Sequence, residues 1–442
     1  MTYIDVCDKG QGGFAKVIVV KHVETGRLYA KKIYSPQQSI INAVGDEHLK
    51  KRFKREVRYQ SSLNHPNIAP ILEHFLDDEP PYFIMPLAEE TLQDELSADS
   101  TLGGDPRSAL FDILAGLEIL HSEGFVHRDL KPANVLKFQG ETKTYYALSD
   151  FGLITGIDSE SSTLTGSNDS GGTPNYAAPE LIHNFKAATP LADIYSFGAI
   201  LHDIFGNGTK RLPYTELSVP GALGRIVTKC TKKLARRRYP SVIELREDLY
   251  DVLNTAVIVF NSSSEEDVVN LLRNNSSLND EQWDSVFLQL ESNVNKSISC
   301  ANIFSAITEP HINELYENAP ELLAALGEYF SDYITNGTFN FDYCDVLASR
   351  AQVFYNLGGI QLKAKIAIGL LVLGTSHNRW YVERKFVSMA DTTIPDNLAN
   401  RIKVELEVQG IDFKGHIDHL TRSIGVSRAV LHPILQPLSG VS

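Results

Sequence analysis

Cysteine is scarce in this chain, with four residues in 442, at positions 7, 230, 300 and 344. No two of them form a C-x-x-C pair and none pairs with histidine at zinc spacing, which removes a disulfide framework and a structural zinc site from consideration. A reducing compartment is expected. Long hydrophobic runs are missing too: the longest, around Ile366 to Leu373, falls far short of the ~20 residues that span a bilayer. The start, Met1-Thr2-Tyr3-Ile4-Asp5, lacks the basic and apolar regions of a signal peptide, so a cytoplasmic location with no membrane partner is expected. Positive charge is outnumbered, 41 Lys and Arg against 55 Asp and Glu, and the formal net charge of -14 repels nucleic acid and anionic membranes at long range. The basic clusters Lys50-Lys51-Arg52 with Lys54-Arg55, and Arg236-Arg237-Arg238, read as solvated helix faces.

What is present is an ordinary globular composition, 43% hydrophobic and 22% charged. A single core stops growing at roughly 250 to 300 residues, so this length implies two domains. Val17 to Val20 and Leu28 to Ile33 read as strands joined by the hairpin punctuation Glu24-Thr25-Gly26-Arg27. Phe53, Val57 and Leu63 keep a helical spacing that stops before His65-Pro66, and Ile71 to Phe75 and Tyr82 to Met85 read as further strands. The period then changes. Leu110, Ile113, Leu114, Leu117 and Leu120 form the buried stripe of a helix ending near Gly124. Between Ile154 and Gly172 the chain is rich in Ser, Thr, Gly and Asp, the mark of a long functional loop. A linker over 254–264 runs into a helix N-cap at Asn261 to Ser264, and residues 265–442 carry helical patches such as Val268, Leu271 and Leu272, then Leu322, Leu323, Leu326 and Phe330.

Gly10-Gln11-Gly12-Gly13-Phe14-Ala15-Lys16-Val17 places glycines where backbone N–H groups can approach phosphate oxygens closely, though alone such a run is more often a plain turn. Three further motifs change its weight: His127-Arg128-Asp129-Leu130-Lys131-Pro132-Ala133-Asn134, then Asp150-Phe151-Gly152, then Ala178-Pro179-Glu180. In type, spacing and order they match the protein-kinase signature set. Residues 1–253 thus resemble a eukaryotic-type (Hanks-type) serine/threonine protein kinase, with the close Arg238-Tyr239-Pro240-Ser241-Val242-Ile243-Glu244-Leu245 similar to bacterial members. The helical region beyond takes no part in the resemblance.

The resemblance implies an α+β, bilobal protein-kinase fold, a small β-rich lobe plus a larger helical one, followed by an all-α domain. It implies ATP and Mg2+ as cofactors and protein Ser/Thr hydroxyls as acceptors. Phosphoryl transfer asks for positioning and charge neutralisation, which is why carboxylates, an amide and a lysine must converge. By the resemblance Asp129 is the catalytic base, Lys131 lies against the γ-phosphate, and Asn134 and Asp150 hold the metal. Lys32 holds the α- and β-phosphates, with Glu56 as the best candidate partner. Gly10, Gly12, Gly13 and Ala15 form the phosphate turn. Val17, Ala30 and Leu136 sandwich adenine, with Met85 as gatekeeper and Leu87 in the hinge. Asp193 braces the catalytic-loop backbone, His127 is structural, and Glu180 pairs with Arg238. The chain departs from the pattern at Ala15, which replaces the third glycine, and at Lys9 and Gln60, where apolar residues are usual.

Lys131, together with Gly172-Thr173 ahead of Tyr176, resembles serine/threonine rather than tyrosine kinases, with Thr173 at the peptide site. Arg128 beside Asp129 implies activation by phosphorylation between the Asp150 and Glu180 motifs. Ser161, Ser162, Thr163, Thr165, Ser167 and Ser170 are the candidates there, Thr163 and Thr165 foremost. A pseudokinase scaffold and a small-molecule kinase are the alternatives; the intact set of Lys32, Asp129, Asn134 and Asp150 weighs against the first, and Ala178-Pro179-Glu180 with Asp193 against the second. For the helical domain a protein partner is expected. His419 to Arg428 resembles the turn of a helix-turn-helix, yet Pro433 and the acidic surroundings make a packed helix pair the expected form, and DNA binding is not expected.

Overall fold

The computed structural model describes residues 2–140, 144–153, 155–156, 174–182, 188–254, 260, 262–292 and 297–440. The chain divides into two compact units, Met1–Leu253 and Asn254–Ser442.

The first unit begins with strands β1 (Tyr3–Gln11), β2 (Ala15–His22) and β3 (Leu28–Tyr34). Helices α1 (Gln38–Val44) and α2 (Asp46–Ser62) follow, and then β4 (Glu73–Phe75) and β5 (Tyr82–Pro86). The five strands form one antiparallel sheet in the order β1-β2-β3-β5-β4. Gly26, in the β2–β3 hairpin, takes φ +69°, a left-handed conformation that costs glycine nothing. On α2, Leu49, Phe53, Glu56, Val57 and Gln60 recur at helical spacing and are buried. Phe53 meets Tyr34 and Phe83 of the sheet at ring separations of 5.8 and 5.6 Å, which fixes α2 against β3 and β5. Glu56 is thereby carried to Lys32 on β3.

Then come β6 (Glu90–Thr91), α3 (Leu92–Ala98), α4 (Arg107–Ser122), β7 (Phe125–Val126), β8 (Val135–Gln139), β9 (Thr144–Leu148) and β10 (Thr155–Gly156). Helices α5 (Pro190–Phe205), α6 (Leu223–Cys230) and α7 (Val242–Leu253) complete the unit. The stripe on α4 is buried as its spacing predicts, and Gly124 takes φ +74° just past the helix end. Twelve of the 16 residues of α5 are buried, which makes it the central post of the helical lobe.

The second unit is all helical among the described residues: α8 (Ser263–Asn274), α9 (Asp280–Ser292), α10 (Ser297–Ala306), α11 (Glu309–Asn318), α12 (Pro320–Asn336), α13 (Phe341–Leu357), α14 (Ile360–His377), α15 (Trp380–Ser388), α16 (Asp396–Gln409) and α17 (Phe413–Ile424). Ser262 caps α8, its side chain accepting from the Glu265 N–H at 3.1 Å. Helices α8, α10, α12, α14 and α16 pack successively on one another, and α11, α13, α15 and α17 form a second row. The apolar run Ile366 to Leu373 lies buried within α14, and no helix among the described residues is long and apolar enough to cross a membrane. The expected helix pair around Gly425 is absent. Gly425 ends α17 with φ +67°, and only a single 3-10 turn, Arg428–Val430, follows before Pro433 denies the chain a further N–H donor.

Candidate active site

The junction of sheet and helical lobe holds a cavity of about 590 Å³ whose lining includes Gly10, Gly12, Gly13, Ala15, Val17, Ala30, Lys32, Glu56, Met85, Leu87, Leu136, Asn134 and Asp150. The phosphate-turn, adenine-pocket, lysine and metal-ligand expectations therefore meet in one place. Ala30, Met85 and Leu136 belong to one buried apolar cluster, against which Val17 and Leu87 pack. Ala15 is buried at the start of β2, paired with Tyr34, and needs no glycine conformation. Of the turn's glycines only Gly13 is crowded: a Cβ there would stand 2.8 Å from Ile40 Cδ1.

Lys32 Nζ lies 2.6 Å from Glu56 Oε1 and 3.3 Å from Asp150 Oδ1. Burial works against its charge, but Asp150 and then Glu56 outweigh it and hold the ammonium above its ordinary range. Glu56 is pushed up by burial, partly offset by Lys32. For Asp150, desolvation is overcome by Lys32, Arg52 and Lys131, which bring the carboxyl down to about 2. It is an anion at any working pH.

The catalytic loop is pinned from below by the fully buried Asp193. Its Oδ2 accepts the His127 N–H at 2.9 Å, its Oδ1 the Arg128 N–H at 2.9 Å, and His121 Nε2 lies 2.9 Å from Oδ2. These bonds hold Arg128 at φ +70°, while Asp150 sits at φ +63°. Left-handed backbone in non-glycine residues is costly, and here both cases flank the reacting groups. His127 is core: its Nε2 donates to Ser149 O at 3.1 Å and its ring lies 5.2 Å from Phe151. Lys131 Nζ stands 2.8 Å from Asp129 Oδ2. Asn134 Nδ2 donates to Asp129 O at 2.8 Å and approaches Oδ2 at 3.3 Å, which commits the amide nitrogen and frees its oxygen for another role. A carboxylate and an amide oxygen suit magnesium, which is usually held by one or two protein oxygens plus phosphates.

Arg238 and Glu180 form a two-pronged pair at 2.7 Å on each prong, with the guanidinium fully buried. The departures are also explained. Gln60, buried on α2, donates to Ala69 O at 2.6 Å, which pairs its amide nitrogen where an apolar residue is usual, while its buried amide oxygen has no hydrogen-bond partner among the described residues. Lys9 Nζ donates to Glu89 O at 3.0 Å across the cavity mouth. Thr163, Thr165, Ser167, Ser170 and Thr173, with Ser161 and Ser162, lie outside the described residues. Sequence reasoning missed Arg52, Phe14 and Asp94, which also line the cavity. For Arg52 the signal was its position four residues before Glu56, hence on the same helix face.

Residues 5–217 match the family model described as protein kinase domain. The chain is 27% identical over 281 residues to the probable serine/threonine-protein kinase PknB of Bifidobacterium longum, covering 57% of this chain and 39% of that protein. It is 29% identical over 267 residues to serine/threonine-protein kinase PrkC of Bacillus subtilis, 54% and 39% of the two chains. With the carbon catabolite-derepressing protein kinase of Candida tropicalis it shares 30% over 221 residues, 49% and 33%. The matches span less than half of each relative's length, and no family model covers the helical unit. Residues 5–217 of this chain are thus similar to protein kinase domains, and two of these three relatives bear the name serine/threonine-protein kinase.

Proposed function

We propose that the first unit transfers the γ-phosphate of ATP, accompanied by magnesium, to serine and threonine hydroxyls of proteins. The carrying observation is the junction of Lys32, Glu56, Asn134 and Asp150 on one cavity with Asp129 and Lys131 hydrogen-bonded beside it. Adenine fits between Val17 and Ala30 on one side and Leu136 on the other, with Met85 and Leu87 at its edge. Lys32, aligned by Glu56, holds the inner phosphates. Asn134 and Asp150 would hold the metal, which when bound neutralises phosphate charge. The acceptor oxygen forms its bond to the γ-phosphorus as the bridging oxygen leaves with ADP, and the hydroxyl proton passes to the Asp129 carboxylate. Lys131, against Asp129, steadies the moving phosphoryl charge.

The reading extends to autophosphorylation between the Asp150 and Glu180 motifs, with Thr163 and Thr165 preferred. Its support is a pair of guanidiniums, Arg128 and Arg55, beside the loop that carries Asp129. Arg128 is depressed to about 10 by burial, against the pull of Asp193, and Arg55 adds to the depression. A phosphate brought there would meet two guanidiniums. For the helical unit we propose a protein partner whose binding regulates the kinase, in the cytoplasm.

The test is radiolabelled ATP with the full chain, generic protein substrates and small alcohols. Active enzyme should turn over at about 1 to 100 per second. Asp129→Asn should lose about 100-fold or more with unchanged circular dichroism. An Asp129→Asn protein as fast as wild type would refute the catalytic assignment, and labelling of alcohols alone would replace the protein-kinase reading.

A further inference from the structure

The glycine-rich turn is tied down from two sides. Behind it, Gln37 N–H donates to Gly13 O at 3.0 Å and Ser35 N–H to Phe14 O at 3.2 Å, so the segment after β3 fixes the tip. In front, the guanidinium carbon of Arg52 lies 4.2 Å from the centroid of the Phe14 ring. Such a stack favours arginine, whose planar cation sheds water more readily than an ammonium.

The same guanidinium reaches the catalytic wall. The point where a Cβ on Gly152 would sit is 3.3 Å from Arg52 Nε, 3.5 Å from Asp150 Oδ1 and 3.8 Å from Glu56 Oε2. Arg52 lines the same cavity as Lys32 and Asp150. Ionised, the groups at the reaction centre are three carboxylates, Glu56, Asp129 and Asp150, against three cations, Lys32, Lys131 and Arg52. Among these six, Arg52 is the cation that balances the third carboxylate, and farther along the cavity Glu90 and Asp94 outnumber Lys9.

We propose that Arg52 is a third phosphate-binding cation of this cleft, contacting the terminal phosphate of the nucleoside triphosphate while its stack on Phe14 closes the glycine-rich turn over it. The assignment rests on the nucleotide reading above. Arg52 is the group that distinguishes a triphosphate from a diphosphate. Arg52 sits one helical turn before Glu56, so the element that aligns Lys32 also delivers the contact to the outer phosphate. Bond making and breaking are unchanged; Arg52 supplies charge and two directed N–H donors to oxygens that ADP lacks.

Calorimetric titration of the full chain with magnesium and either a non-hydrolysable ATP analogue or ADP tests this. Arg52→Ala should weaken the triphosphate about tenfold or more and ADP by no more than about twofold. Arg52→Lys should keep part of the preference, and Phe14→Leu should lower it in the same direction by less. Should Arg52→Ala melt early, Arg52→Gln, which keeps the stem, carries the comparison. Equal loss for both nucleotides, or no loss for either, would overturn the role of Arg52 and leave the nucleotide site standing. A wild-type protein that binds neither nucleotide would overturn the site itself and the proposal with it.

Discussion

Lys32 is held by two carboxylates of unequal duty. Glu56 is buried on α2 and closer, at 2.6 Å; Asp150 is more exposed and, at 3.3 Å, is the one the resemblance assigns to the metal. Removing the charge of Glu56 should therefore leave Lys32 leaning on Asp150, a contact that competes with both phosphate and metal. Glu56→Gln is expected to cut turnover about 100-fold with little change in unfolding temperature, as measured by steady-state phosphorylation and a thermal scan. Unchanged turnover would make Glu56 a spectator. Asp150 behaves differently with acid. Its carboxyl is depressed to about 2, so its contribution to stability is present above the usual carboxylate range and is lost only as pH falls toward that value. Loss of activity above pH 4 must then come from another group.

At the scale of elements, the strands and helices of the first unit were legible where one physical signal dominated. The β-branched run Val17 to Val20 became β2, and the spacing of Phe53 and Val57 became the buried face of α2. The candidate catalytic groups stood out because their motifs fix residue type and order together, and the fold brings Lys32, Glu56, Asn134 and Asp150 to one cavity. The contacts of Gln60 and Arg52 were not legible, since a polar residue on a helix face is read from what it meets, and Ala69 O and the Phe14 ring are brought to them only by the fold. The same limit applies in the second unit, where apolar spacing marks helices but not which faces join, and where the likeness around Gly425 to a helix-turn-helix stopped at the first helix. At the start of α11, His311 replaces the usual capping carboxylate. Its Nδ1 accepts the Thr308 N–H at 3.1 Å and its Nε2 donates to Asn275 O at 2.7 Å, a pattern only the neutral ring can make. Burial lowers its pKa, so the unfolded chain binds the proton more readily. Stability is then full above the ordinary histidine value of about 6.5 and declines as pH falls below it. The helical unit should melt about 2–4 °C lower at pH 5.5 than at pH 7.5, and His311→Gln, which keeps an acceptor at the cap, should flatten that dependence. An equally steep dependence in the variant would assign it elsewhere.

For the whole molecule, the division at Leu253 is a statement about where cores close. The largest apolar cluster of the first unit runs from Leu63 to Leu249, and the cluster under the sheet from Ala15 to Ala147, so both are complete before the helical unit begins. The second unit closes its core differently. In two rows of successively packed helices each member contacts near neighbours in the chain. Independent cores predict independent folding. A chain ending at residue 253 should be soluble, melt in one transition and bind ATP, and residues 254–442 made alone should melt in one transition and retain the pH dependence assigned to His311. If the shorter chain aggregated under every expression condition, the helical unit would have to be counted as part of the catalytic core. If both pieces fold, residues 254–442 become the reagent for finding the proposed partner. A protein captured by them should alter phosphorylation by the full chain while leaving the chain ending at 253 unaffected; equal effects on both would place that partner's site on the kinase domain instead.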